Sequence, residues 1–110
     1  MNEKHQRYLL LFENSLKSEV TKRYYLYYLK KFIEYYKLKD FGSILKIEPN
    51  NLQIMVEDYV MYLKKTVSPN TLPTPIYAIE SFLVINDIFL NWKKIRKLYP
   101  AKVKLSGRTP

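Results

Sequence analysis

The chain has 110 residues, 47% hydrophobic and 15% aromatic, with 19 Lys/Arg against 10 Asp/Glu and a net charge of +9. This length sets one domain as the expectation, with a thin core that hides roughly 60–65% of the unfolded surface, so large aromatic side chains matter. The lack of cysteine excludes disulfides, thiolate catalysis and Cys-based metal sites; no apolar run nears the ~20 residues of a membrane span, and the N-terminal MNEKHQR lacks a signal-peptide pattern, so a soluble, cytoplasmic protein is expected.

Only Gly42 and Gly107 are glycines, and the prolines at 49, 69, 73, 75, 100 and 110 punctuate segments rather than fill them. The segments between them have helical period and lengths of about 12–20 residues, which predicts an all-α domain. A short first helix is expected over residues 3–14, with Tyr8, Leu9, Leu11 and Phe12 on its apolar side. Ser18 reads as the N-cap of a long helix over 19–37. At 100° per residue, one half of that helix carries Thr21, Tyr25, Leu26, Tyr28, Leu29, Phe32, Ile33 and Tyr36, a core face. Arg23, Lys30 and Lys37 form a basic stripe beside it. Lys22 falls within the apolar arc but in the first turn, where it can reach out. Tyr24 and Tyr35 lie on the other margin and Tyr27 points away from the core; Tyr24 and Tyr27 read equally well as packing or as stacking residues.

Residues 40–51 read as a connector, and Pro49 with the asparagines then opens a helix of about 51–66. Leu52, Met55, Val56, Tyr59, Tyr62 and Leu63 share one face of it; Ile54 and Met61 lie opposite, as a second contact surface or as scatter. In VSPNTLPTP the two late prolines lack donors, so Thr74 is expected as N-cap with Pro75 in the first helical position. That helix runs to about Asn86 and buries Ala78, Ile79, Phe82, Leu83 and Ile85. A last short helix over 91–100 stops at Pro100, and 101–110 reads as a basic linker.

The charge is unevenly spread. Residues 17–39 hold seven basic and two acidic groups, 40–92 hold three and six, and 93–110 hold seven and none. Two basic blocks around a mildly acidic middle favour a polyanion partner. Catalytic chemistry lacks its parts: His5 is the only histidine, no Gly-rich phosphate loop or metal-ligand cluster is present, and Glu57 and Asp58 diverge by about 100° on one helix. A nucleophilic tyrosine would need a base beside it, and residues 18–37 offer cations but none. Neither a catalytic residue, a metal nor a cofactor is therefore expected. Arg23, Lys30 and Lys37 offer phosphate contacts, and the polar helix starts Ser18–Thr21 and Ser68–Asn70–Thr71–Thr74 read either as caps alone or as phosphate donors.

The pattern Ser18-x-x-Thr21-x-x-x-Tyr25-x-x-x-Leu29-x-x-Phe32 resembles the opening of the core-binding domain of tyrosine recombinases, the phage-integrase family. The run SPNTLPTPIYAIESFLVIND is similar to that domain's later polar helix start followed by Ala-Ile and Phe, and NDIFLNWKKIRKLYP resembles archaeal-type integrases, where a basic short helix and a proline precede the interdomain linker. The resemblance covers about residues 14–110. It implies a compact SAM-like bundle of four to five helices over residues 1–100 that clamps one side of duplex DNA, with 101–110 leading toward a separate catalytic domain that cleaves and rejoins strands in DNA integration and recombination. It implies contacts from Ser18, Thr21, Lys22 and Tyr25, from Asn70, Thr71, Thr74 and Tyr77, and from Lys93, Lys94 and Lys97. The helical wheel sets Tyr25 in the core, which ranks it below Lys22, and the doubled proline of LPTP departs from the family's smoother helix start. Other recombinase protomers on the DNA are implied partners, a membrane is not, and the implied location is with nucleoid or mobile-element DNA. The family's two arginines, lysine, histidine motif and tyrosine nucleophile match no segment here. The alternatives are a helical protein-interaction module, with Ile54, Met61 and Val84 as its apolar surface, and a stand-alone DNA-binding protein; peripheral binding to acidic membranes through the basic tail is a weaker third reading, because residues 101–110 carry little apolar surface.

Overall fold

The structure is a computed structural model and describes residues 6–101; His5 and the basic linker beyond Ala101 lie outside the described residues. Six helices follow one another and no strand occurs among the described residues: α1 (Arg7–Ser15), α2 (Glu19–Tyr35), α3 (Phe41–Leu45), α4 (Pro49–Thr66), α5 (Pro73–Ile85) and α6 (Trp92–Arg96).

The helix ends follow from local chemistry. The Ser18 side chain accepts from the Thr21 amide at 3.3 Å and starts α2, as expected. At the other end the Leu38 amide reaches the Ile33 carbonyl at 2.8 Å and the Lys37 amide reaches Glu34 at 3.2 Å, with Lys37 left-handed at φ 56°. This Schellman arrangement ends the helix two residues before the expected limit, so Lys37 leaves the basic stripe, which reduces to Arg23 and Lys30. α5 ends in the same way, with Asp87 at φ 66° and the Ile88 amide on the Leu83 carbonyl at 2.9 Å.

Three further expectations need correction. The connector 40–51 contains α3, because Asp40 and Ser43 form a reciprocal capping box that is strong enough to start a five-residue helix. α4 begins at Pro49, with Glu48 accepting from the Asn51 amide; proline suits the first turn, where its missing N–H has no helical partner. Thr74 is not a cap. Ser68 accepts from the Thr71 amide at 3.3 Å, the Leu72 amide already bonds the Ser68 carbonyl at 3.1 Å, and Leu72 has helical φ and ψ. Helical winding thus starts upstream of both prolines, and Thr74 sits exposed inside α5.

α5 lies at the centre and buries Pro75, Ile76, Ala78, Ile79, Phe82 and Leu83, while Ile85 is half-buried. It packs against α2 and α1, α2 also packs on α3, and α4 packs on α6. Phe82 is the hub of one aromatic cluster. It meets Phe12 edge-on at 5.4 Å, and also Tyr8 and Phe41. Gly42 lets the Tyr8 ring close over α3, since a Cβ there would stand 2.8 Å from its hydroxyl. A second cluster joins α2 to α4: Phe32 meets Tyr59 edge-on at 5.0 Å, and the Tyr36 hydroxyl donates to the Met55 carbonyl at 2.7 Å.

Candidate nucleic-acid interface

The expected contact residues fall into three groups on the surface. The first is the start of α2. Ser18, Thr21, Lys22 and Arg23 gather there, and Lys22 and Arg23 line a shallow depression with Glu13, Glu19 and Leu26. Ser18 spends its side chain as a cap, and Lys22 pairs with Glu19 at 3.1 Å. Arg23 is exposed and pairs with no carboxylate among the described residues, as does Lys30 two turns on. Tyr25 is half-buried and stacks on Phe12 at 6.5 Å; burial, then the nearby Tyr77 hydroxyl, pushes its phenol up. It is a packing residue, as its helical angle implied.

The second group is the lead-in to α5. Asn70, Thr71 and Thr74 are all exposed, and the Thr71 hydroxyl lies 2.9 Å from that of Ser68. Tyr77, further along, is exposed and borders a depression with Leu16, Glu80 and Val84.

The third group is α6. Asn91 caps it by accepting from the Lys94 amide at 3.0 Å. Lys94 pairs with Glu57 at 3.0 Å, Gln53 donates to the same carboxylate at 2.8 Å, and Gln53 also accepts from the Asn91 amide. The Gln53 hydrogen bond first, and then Lys94, hold the Glu57 carboxyl below its ordinary range. Arg96 is likewise committed, to Glu80 at 2.9 Å, and so ties α6 to α5. Lys93 and Lys97 stay exposed and outside any ion pair among the described residues.

A feature that residue-by-residue reading missed lies between α2 and the α4–α5 connection. Here the fold builds a groove of about 460 Å³. Tyr27, Tyr28, Lys31 and Tyr35 come from α2, Tyr59 and Tyr62 from α4, and Thr71 from the lead-in to α5. Thr71 is the expected contact residue that joins it. Tyr59 and Leu63 are almost wholly buried, whereas Tyr27, Tyr35 and Tyr62 remain 52%, 43% and 39% exposed, so part of each of these side chains is open to solvent. Tyr35 and Tyr62 lie 4.4 Å apart between centroids at 32°, and the Lys31 ammonium sits 5.4 Å from the Tyr27 ring. Lys64 and Lys65 are exposed in the last turn of α4, next to this groove's Thr66. The available signal was the tyrosine excess at 27, 28, 35, 59 and 62, but its convergence needs three segments to meet.

Among the described residues no group of three His, Asp or Glu side chains comes together in a way that could hold a metal ion, and no helix is long and apolar enough to cross a membrane. Comparison with protein-family models, with curated proteins and with solved structures finds no match.

Proposed function

We propose that this chain is a duplex-DNA-binding module, the SAM-like core-binding half of a tyrosine recombinase of archaeal-integrase type, which positions DNA for cleavage and rejoining by a separate catalytic domain. The observation that carries the reading is the state of its cations. Arg23, Lys30, Lys64, Lys65, Lys93 and Lys97 stand exposed and outside any ion pair among the described residues, in a chain of net charge +9. Such groups release counterions from a phosphate backbone, whereas cations spent on carboxylates do not. Lys22 and Lys94 of the expected set are weaker contributors for that reason.

Binding is electrostatic and weak for the module alone, at about 10⁻⁴–10⁻⁶ M, with a log–log salt slope of roughly −4 to −5 for four to six phosphate contacts. Fluorescence anisotropy on a 20-base-pair duplex between 50 and 200 mM salt measures both. Affinity that ignores salt overturns the reading.

A second reading, a protein-interaction module, draws on Ile54 and Met61, which are exposed as their helical angles implied, on the exposed Val84, and on Phe89, the most exposed large apolar side chain among the described residues. It predicts self-association that persists in high salt, which sedimentation would detect.

A further inference from the structure

We infer that the tyrosine-walled groove between α2 and the α4–α5 connection takes an unpaired base of single-stranded DNA, with Lys31 held beside it for the phosphate. This deepens the DNA-binding reading and rests on it, but it uses different residues and a different form of DNA.

The shape fits first. About 460 Å³ lies within the roughly 300–1,000 Å³ of small-ligand sites, and the groove is half open to solvent. Its walls are π surfaces: Tyr35, Tyr59 and Tyr62 form one aromatic cluster, with Tyr35 4.4 Å from Tyr62 at 32° and 5.2 Å from Tyr59 at 58°, and Tyr59 6.0 Å from Tyr62 at 28°. An open tyrosine ring stacks any base, because every base has a π face. A paired base inside a duplex cannot present that face, which is why the occupant is unpaired.

The polar groups fit next. The hydroxyls of Tyr27, Tyr28, Tyr35 and Tyr62 make no hydrogen bond among the described residues, so they are free to meet base edges. Lys31 lies over Tyr27 and outside any ion pair among those residues. Glu34 shares the wall and repels a phosphate, so the strand must pass on the Lys31 side. Charge also separates this occupant from the others an aromatic groove could hold. A cationic ligand such as a methylated ammonium would meet Lys31 and a chain of net charge +9. A proline-rich peptide stacks on tyrosines as well, but it has no use for the ammonium.

The test is a titration of the full chain with a labelled 12-nucleotide oligo-dT strand, with an abasic strand of equal length, and with a duplex. The inference expects oligo-dT to bind about tenfold or more tightly than the abasic strand, which carries the same phosphates without bases. Tyr27→Ala and Tyr62→Ala should remove most of that advantage and leave duplex affinity within about twofold. Tyr27→Phe and Tyr62→Phe keep the rings, and should keep most of the advantage; they also serve where an alanine variant fails to fold, as judged by circular dichroism. Equal affinity for oligo-dT and the abasic strand overturns the groove as a base site and leaves the duplex reading standing. Base-dependent oligo-dT binding without duplex binding overturns the duplex reading instead. Groove amide shifts with a proline-rich decapeptide, and none with oligo-dT, also overturn the inference.

Discussion

The Tyr36 hydroxyl donates to the Met55 carbonyl across 2.7 Å, and so pins the end of α2 to the middle of α4. Burial chiefly, with Asp58 and then Tyr35 adding, pushes this phenol up to about 12. Burial does the same to Tyr59 next to it. Unfolded tyrosine ionises near pH 10, roughly, so the folded state holds the neutral form longer. The stability this contributes is intact below about pH 10 and is lost as pH rises through about 12. Tyr36→Phe should cost about 1 kcal/mol at neutral pH, read from urea midpoints. It should also flatten the decline in stability above roughly pH 10.

Lys37 and Asp87 each sit left-handed at a helix C-terminus, at φ 56° and 66°. An L-residue there is strained by roughly 1–2 kcal/mol, while glycine is not but loses more entropy on folding. Lys37→Gly and Asp87→Gly should therefore each stabilise the fold by about 0.5 kcal/mol, and the pair should add, because they cap different helices. Thermal unfolding measures both.

Glu57 collects Gln53 and Lys94 on one oxygen, and this joint holds α6 on α4. Its lowered carboxyl contributes stability present at neutral pH and lost as pH falls through the folded-state value, below the ordinary carboxylate range. Hydrogen exchange of the α6 amides should accelerate between pH 5 and pH 3 beyond the intrinsic pH effect. Glu57→Gln should abolish that acceleration at a global cost under about 1 kcal/mol.

Arg23 and Lys30 are seven residues apart on α2, so they lie on one side of it two turns apart. Replacing either with Ala should weaken duplex binding evenly across sequences and reduce the salt slope by about 1. Lys22 differs, since Glu19 holds it at 3.1 Å while itself standing open to water. Glu19→Gln should free Lys22 and raise affinity by a few fold at 50 mM salt, and the gain should shrink at 200 mM. An unchanged slope in all three variants would remove the start of α2 from the interface.

Much of the helical layout was legible from local pattern. Ser18 capping Thr21, the buried Leu29 and Phe32, the half-buried Tyr25, Tyr28 and Tyr36, and the exposed Tyr27 all follow from contacts three or four residues apart, which a wheel and a cap rule capture. The misses were of two kinds. α3 and the Ser68-led start of α5 turn on single side chain–backbone hydrogen bonds that compete with proline and turn signals. The exposure of Tyr62 and the ion pair of Lys94 were not legible, because burial and pairing depend on what another helix brings, here Tyr35 and Glu57.

The sequence by itself determined an all-α chain, the period of its helices, most of their ends and the excess of positive charge, because these rest on neighbours along the chain. Only the tertiary structure decided which cations stay free and that five tyrosines, Lys31 and Thr71 face one groove. Both depend on how α2, α4 and α5 cross, and side chains from 27 to 71 meet there through packing that no local periodicity encodes.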